Sequence, residues 1–157
     1  MIVVLLILHG LLAVALLGAI THQALSVVTI SPAAQSRWNF VDRFRGVDAT
    51  AYATPIVVLF AITVVGGALL YPQYRIDVRP ALEDTQNQVA NGVFEIKEHL
   101  AAIGLGLLPA YWLYWRKRNG PETAAPRRYL TWLLAFFVWW SFIVGHVLND
   151  IRGLLPS

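Results

Sequence analysis

The chain contains four histidines, His9, His22, His99 and His146, and each lies inside or at the edge of a long apolar segment. Ionisable side chains are costly inside a membrane, so they indicate a helix-bundle interior, a water-filled cavity or a functional site. Imidazole is a common ligand of haem iron and of non-haem iron, zinc and copper. The depth at which each histidine lies therefore determines which chemistry the chain could support.

The composition places the chain among membrane proteins. Of its 157 residues, 57% are hydrophobic and 13% are charged, whereas a soluble domain has about a quarter charged residues. There is no cysteine, which excludes disulfides, thiolate metal sites and covalent haem attachment through C-x-x-C-H. We expect a single transmembrane domain over residues 1–157, with a lipid bilayer as its main surroundings and no nucleic-acid partner.

Four apolar runs predict four transmembrane helices, because each is close to the length of about 20 residues that a bilayer core requires. The predicted fold is all-α, an integral membrane four-helix up-down bundle. Residues 31–50 are predicted to form a cytoplasmic amphipathic segment, and residues 72–92 an external loop. Toward the end of that loop, Leu82, Thr85, Val89 and Val93 have helical spacing, which indicates a helical lead-in to the third span. The predicted spans are approximately 2–30, 52–71, 93–115 and 129–151.

Lysine and arginine are distributed unequally between the two sides of this arrangement. The side that holds the 1–2 and 3–4 connections carries eight of them, and the side of the N-terminus carries four. By the positive-inside rule, the richer side faces the cytoplasm. The sequence thus predicts a multi-pass protein of a bacterial-type plasma (inner) membrane, with both termini outside.

Three of the four histidines are predicted to lie at one depth, near the outer surface. His99 begins the third span and His146 ends the fourth on that side, while His9 is roughly 12 Å along the first helix. His22 is roughly 20 Å deeper than His9 and is rotated about 140° from it around the helix. Because His22 has no histidine at its own depth, we interpret it as a polar contact between helices.

This three-and-one division predicts one haem b near the outer face, with two of His9, His99 and His146 as axial ligands. Ligating histidines usually donate their second ring nitrogen to a carboxylate, a carbonyl or water. Glu95 and Asp150 each lie four residues from a histidine on the same helical face and could accept that bond. Cations for the haem propionates are available nearby as Arg75 and Arg79.

Such a protein would be a redox subunit that passes electrons between the quinol pool and an external acceptor, with other membrane or periplasmic redox subunits as partners. An alternative is a non-catalytic accessory subunit of a respiratory complex whose histidines are structural or adjacent to a quinone. A third reading is a non-haem metal or proton-relay site in the same layer. The chain has no G-x-S-x-G, H-E-x-x-H or P-loop motif, so no catalytic residue is predicted and these alternatives stay open.

Overall fold

The computed structural model describes residues 2–28, 49–116 and 121–154. These residues form helices and short turns, with no β-strand among them, so the prediction of an all-α fold is confirmed. The predicted amphipathic segment at 31–50 lies outside the described residues except for its last two positions. In chain order the helices are α1 (Ile2–Ser26), α2 (Ala53–Gln73), α3 (Arg79–Asp84), α4 (Gln88–Arg116) and α5 (Pro121–Leu154), with a 3₁₀ turn at Ala49–Tyr52.

The segment after α2 is helical over most of its length, although residues 72–92 were predicted as a loop. Pro72 lies one residue before the end of α2, and a proline inside a helix removes one backbone hydrogen bond and crowds the preceding turn. Just beyond it the helix widens into a π-turn at Tyr74–Val78, which continues into α3. Such π-turns are frequent at functional sites.

Helix α4 begins five residues before the predicted start of the third span. The side chain of Asn87 accepts a hydrogen bond from the backbone N–H of Ala90 at 3.3 Å. Asparagine is a favoured N-cap, because its side chain satisfies an N–H group that has no partner within the helix. This cap allows α4 to start at Gln88, well before the apolar run.

The four long helices enclose one interior. Helix α1 packs mainly against α2 and α5, and α4 packs against the same two helices, so α1 and α4 face each other across that interior. Apolar side chains from all four helices fill its middle and are almost fully buried. They include Leu16, Ile20, Ile56, Phe60, Leu108, Leu134 and Phe137.

The two ends of this interior differ in chemistry, and we name them by the residues that meet there. End A holds the start of α1, the π-turn, the first part of α4 and the last part of α5, since Leu6, Tyr74, Phe94 and Leu148 line one common cavity. End B holds the last turns of α1 and α4 with the start of α2, since Gln23 lies between Ala49 and Tyr111.

End B is closed by a buried network of hydrogen bonds. Gln23 is fully buried, donates to the carbonyl of Ala49 at 3.0 Å and accepts from the hydroxyl of Tyr111. Nearby, Trp115 donates its indole N–H to Thr131 at 3.0 Å. Buried polar groups that are fully paired fix a unique packing, so this network holds α1, α4 and α5 in register.

Within the described ranges, three helices are long and apolar enough to cross a membrane, namely Ile2–Ser26, the helical stretch Ala49–Asp84 and Glu122–Asp150. Large apolar side chains such as Val3, Leu11 and Phe136 are exposed on the outer surfaces of these helices. Helix α4 has sufficient length but carries Glu95, Lys97 and other charged residues near its start. The structure therefore identifies three of the four predicted spans by length and composition.

Candidate functional site

His9 lies in the interior of the helices and packs against two glycines of α2. A Cβ atom built on Gly66 would be 3.1 Å from Nδ1 of His9, and one on Gly67 would be 3.4 Å from its Cε1. Glycine has no side chain, so it lets another group approach the backbone closely. The Gly66–Gly67 pair therefore makes the space that the imidazole ring occupies.

A cavity of about 100 Å³, which we call the inner cavity, lies beside the His9 ring. Its lining is mostly apolar, and Thr63 of α2 and Ser141 of α5 add hydroxyl groups. Nδ1 of His9 and Oγ1 of Thr63 are both buried and complete no hydrogen bond among the described residues, although the Thr63 backbone lies close to the imidazole. Buried polar atoms almost always have a partner, so these two indicate a site for a bound group or for ordered water.

A second cavity of about 400 Å³, the vestibule, continues from the inner cavity toward end A. All four long helices contribute to its lining, and His9, Gly67, Lys97 and Glu98 line both cavities. Nζ of Lys97 lies 2.6 Å from Oε1 of Glu98 and 4.3 Å above the Phe94 ring. His9 and this charge pair thus stand where the two cavities join.

The inner cavity ends on apolar side chains toward end B. Leu16, Phe60, Phe137 and Val138 line it and are each at most 6% exposed. Beneath them, Gly104 of α4 is so close to Phe60 that an added Cβ would lie 2.5 Å from its ring. The residues between this floor and the Gln23 network are apolar and buried, such as Ile20 and Ile56. This apolar floor suits a binding site that opens toward end A better than a continuous polar pathway from end A to end B.

A separate groove of about 430 Å³ lies on the outside of α2 and α4 at end A. It brings together three predicted site residues, Arg79, Glu95 and His99. Arg79 is 2.7 Å from Glu83 and 3.7 Å from Glu95. The stacked rings of Tyr74 and Phe94, with centroids 3.6 Å apart, line both this groove and the vestibule.

The predicted site residues share one end of the molecule but do not share one cavity. His9 faces the interior, whereas His99 lies exposed in the groove and His146 is exposed on α5, stacked on Phe142. Arg75 and Asp150 are also exposed. Across the part of the chain that the structure describes, no group of three or more His, Asp or Glu side chains is arranged to hold a metal ion.

His22 is located at end B, where its ring stacks on that of Tyr52 with centroids 4.6 Å apart. The ring of Tyr52 belongs to the 3₁₀ turn that precedes α2. The contact therefore joins α1 to the chain that enters α2, far from His9. The contact is a ring stack, so the expectation that His22 makes a polar contact between helices stays a prediction.

The polar residues of the inner cavity other than His9 were not among the predicted site residues: Thr63, Lys97, Glu98 and Ser141. Lys97 was counted only as a charge on the outer side, yet two helical positions separate it from His99 by about 200°. The two side chains must therefore point in nearly opposite directions. The sequence shows both residues but does not show which of them faces inward.

Comparisons with protein-family models, with curated proteins and with solved structures find no match for this chain. A function for this chain must therefore be inferred from the residues that line the inner cavity and the vestibule.

Proposed function

We propose that this chain is a four-span membrane haem protein that holds one haem b at end A, with His9 as an axial ligand. The single observation that carries this proposal is the position of His9. Its imidazole is the histidine side chain that lines the inner cavity and the vestibule, and its Nδ1 is buried against Gly66 of α2. His99 and His146 lie on outward-facing surfaces.

The surroundings of His9 fit a flat apolar cofactor. The glycines at 66 and 67 hold the imidazole close to the α2 backbone and so leave its opposite side toward the cavities. The vestibule of about 400 Å³ is lined by all four long helices, mostly with apolar side chains such as Leu6, Leu70 and Leu148. Cofactor sites in helix bundles are typically built in this way, from side chains on facing helices.

In this proposal each nearby residue has a defined task. His9 would hold the iron through one ring nitrogen, and the other would donate to the backbone carbonyl of Thr63, which would fix the ring orientation. Apolar residues on the floor exclude water from the end-B side. Lys97 and, further out, Arg79 are the cations at end A that would donate to the propionates, and in the structure they are paired with Glu98 and Glu83. The bound haem would supply one-electron transfer between quinol and an external acceptor.

The membrane arrangement is part of the same proposal. Helix α4 is 29 residues long, and its start at end A lies at the depth where charged side chains reach water. With α4 as the fourth span, the helices would form an up-down bundle, because Leu6, Tyr74, Phe94 and Leu148 meet at one end. End B carries Arg116, Arg127 and Arg128, so the positive-inside rule places it in the cytoplasm of a bacterial-type plasma membrane.

This orientation can be tested directly because the chain has no native cysteine. Asp84→Cys lies beyond α2 at end A, and Glu122→Cys lies at the start of α5 at end B; both positions are exposed. We expect a membrane-impermeant maleimide to label Asp84→Cys in spheroplasts and to label Glu122→Cys only after the membrane is opened. Labelling in the opposite order would reverse the orientation, and equal labelling of both before lysis would rule out the spanning arrangement.

A second candidate function is a proton-exchange site that opens to end A. The observation that favours it is the pair of unpartnered polar atoms, Nδ1 of His9 and Oγ1 of Thr63, on one inner cavity. At about 30 Å³ per molecule, about 100 Å³ accommodates about three waters. The apolar floor separates this water from end B, so protons would exchange with one side.

The haem content of the purified protein separates these two functions. We expect about one haem b per chain when the protein is produced in cells with an adequate haem supply and assayed as the pyridine complex. A folded protein that carries no haem would contradict the haem proposal. That result would leave the proton-exchange site and the accessory-subunit alternative.

A further inference from the structure

We infer that the groove on the outside of α2 and α4 binds a phospholipid whose headgroup ends in a primary ammonium, such as phosphatidylethanolamine. The groove has a volume of about 430 Å³ and combines carboxylates, a guanidinium and aromatic rings in its lining. The inference rests on the membrane arrangement proposed above, in which end A lies at the membrane surface, and it does not depend on haem.

The charges of the groove favour a ligand that carries a positive group. Among the described residues of its lining, two carboxylates, Glu95 and Glu98, outnumber one guanidinium, Arg79. Nε of Arg79 lies 2.7 Å from Oε1 of Glu83, whereas its Nη1 lies 3.7 Å from Oε1 of Glu95. That second distance is too long for a hydrogen bond, and the Glu95 side chain is 57% exposed. Glu95 can therefore accept hydrogen bonds from a cationic ligand, whereas a purely anionic headgroup would be repelled.

The aromatic cluster at the groove already holds one cation. Nζ of Lys97 lies 4.3 Å above the centroid of Phe94, and the ring of Tyr74 stacks on Phe94 with centroids 3.6 Å apart. Both groups cannot occupy one face of the ring, so Lys97 covers one face and Tyr74 covers the other. Tyr71 lines the groove and is 38% exposed. Its ring is accessible to a second cation, since cations bind aromatic faces within about 6 Å of the centroid.

The hydrogen-bond acceptors of the groove suit a primary ammonium better than a methylated one. An –NH₃⁺ group has three N–H donors, whereas a trimethylammonium group has none. The carboxylates of Glu95 and Glu98 and a neutral imidazole at His99 provide acceptors in the groove. The phosphate of the same headgroup would accept from Arg79, because a guanidinium has five N–H donors.

The position of the groove favours a lipid over a free amine as the source of the ammonium. Toward the middle of α2 the groove reaches Ala68, and the adjacent Leu69 is exposed. On α4, Ile103 is exposed and lies one turn beyond His99 on the same helical face. The charged part of the groove is thus followed by an apolar outer surface, along which an acyl chain would lie.

A cross-link of zero length tests this inference on the wild-type protein in vesicles of phosphatidylethanolamine and phosphatidylglycerol. A carbodiimide activates carboxylates, and an amine in contact then forms an amide bond while the carbodiimide leaves as a urea. Peptide mass spectrometry measures the lipid amide on Glu95 and on Glu83, whose exposed fractions are similar at 57% and 51%. Free ethanolamine, used in a parallel reaction, measures the intrinsic reactivity of each carboxylate.

After division by the ethanolamine values, we expect the lipid to label Glu95 about two- to fivefold more than Glu83, the range of one exposed cation–π contact. A ratio near one would overturn the inference, because it would mean that the groove does not select the lipid.

Two variants separate the groove from simple closeness to the membrane surface. Tyr71→Leu removes the exposed ring and should lower lipid labelling of Glu95 by about two- to fivefold. Tyr129→Leu makes the same change at an exposed position at end B and should leave the labelling unchanged. Unchanged labelling in Tyr71→Leu would overturn the inference. Haem content is measured independently, so failure here leaves the haem proposal standing, and absence of haem leaves the lipid site standing.

Discussion

Replacing His9 with alanine is expected to reduce the haem content of the purified protein by at least about tenfold. Loss of groups that merely orient a metal ligand costs roughly 10–100-fold in affinity, so loss of the ligand itself should cost no less. The substitution removes the imidazole that lines both cavities. Haem content per chain, measured as the pyridine complex after purification in a mild detergent, gives the comparison with wild type.

The matched controls are the two histidines on the outer surfaces. His99→Ala and His146→Ala remove the same side chain at the same end of the molecule, where both residues are exposed. We expect each control to keep the haem content of the wild type, and all three variants to keep the same helical circular dichroism. Full haem content in folded His9→Ala would show that His9 is not a ligand.

Replacing Gly104 with alanine is expected to destabilise the fold by about 1–3 kcal/mol, as overpacking of a filled core typically does. The new Cβ would lie 2.5 Å from Cζ of Phe60 and 3.3 Å from Phe137. Phe60 is 4% and Phe137 is 5% exposed, and the open space that both rings border is the inner cavity, so relief of the clash requires a ring to move into it. The clash lies directly below the inner cavity, so it should also perturb the floor of the site.

Gly106 of the same helix provides the control for this substitution. A Cβ at Gly106 would meet nothing within 4 Å, and alanine favours a helix over glycine by roughly 0.5–1 kcal/mol. We therefore expect Gly106→Ala to leave the thermal midpoint unchanged or to raise it, while Gly104→Ala lowers it by several degrees. Tryptophan fluorescence reports the transition, since the chain has six tryptophans. Equal midpoints for the two variants would mean that α4 and α2 are not in close contact at Phe60.

The sequence was sufficient to predict the fold class, because apolar runs of this length in a membrane leave the helix as the available structure. The sequence was less informative about secondary structure in the segment where charged residues lie on a helix. Residues 72–92 were predicted as an external loop with helical spacing from Leu82 onward, and the structure has a π-turn, α3 and the start of α4 there. Charged side chains on an exposed helix surface cost little, so polarity alone does not separate such a helix from a loop.

The candidate site was predicted in part, and helical phase accounts for the difference. Depth along a helix follows from counting residues, so the sequence can predict that His9, His99 and His146 lie at one end of the bundle. In the structure, the residues that surround each of the three lie at end A. Rotation about a helix axis depends on which face packs inward. That face is set by contacts between distant residues, such as Phe60 with Gly104 and His9 with Gly66. Lys97 and Thr63 line the inner cavity because of this helix rotation. No local sequence pattern predicts that they face inward.

The most direct measurement is the difference between the dithionite-reduced and the oxidised absorption spectra of the purified wild-type protein. The proposed site at His9 predicts a single b-type haem with a sharp reduced α band and a shifted Soret band, at about one haem per chain. A folded protein in which reduction changes nothing in the visible spectrum, after production with an ample haem supply, would contradict it.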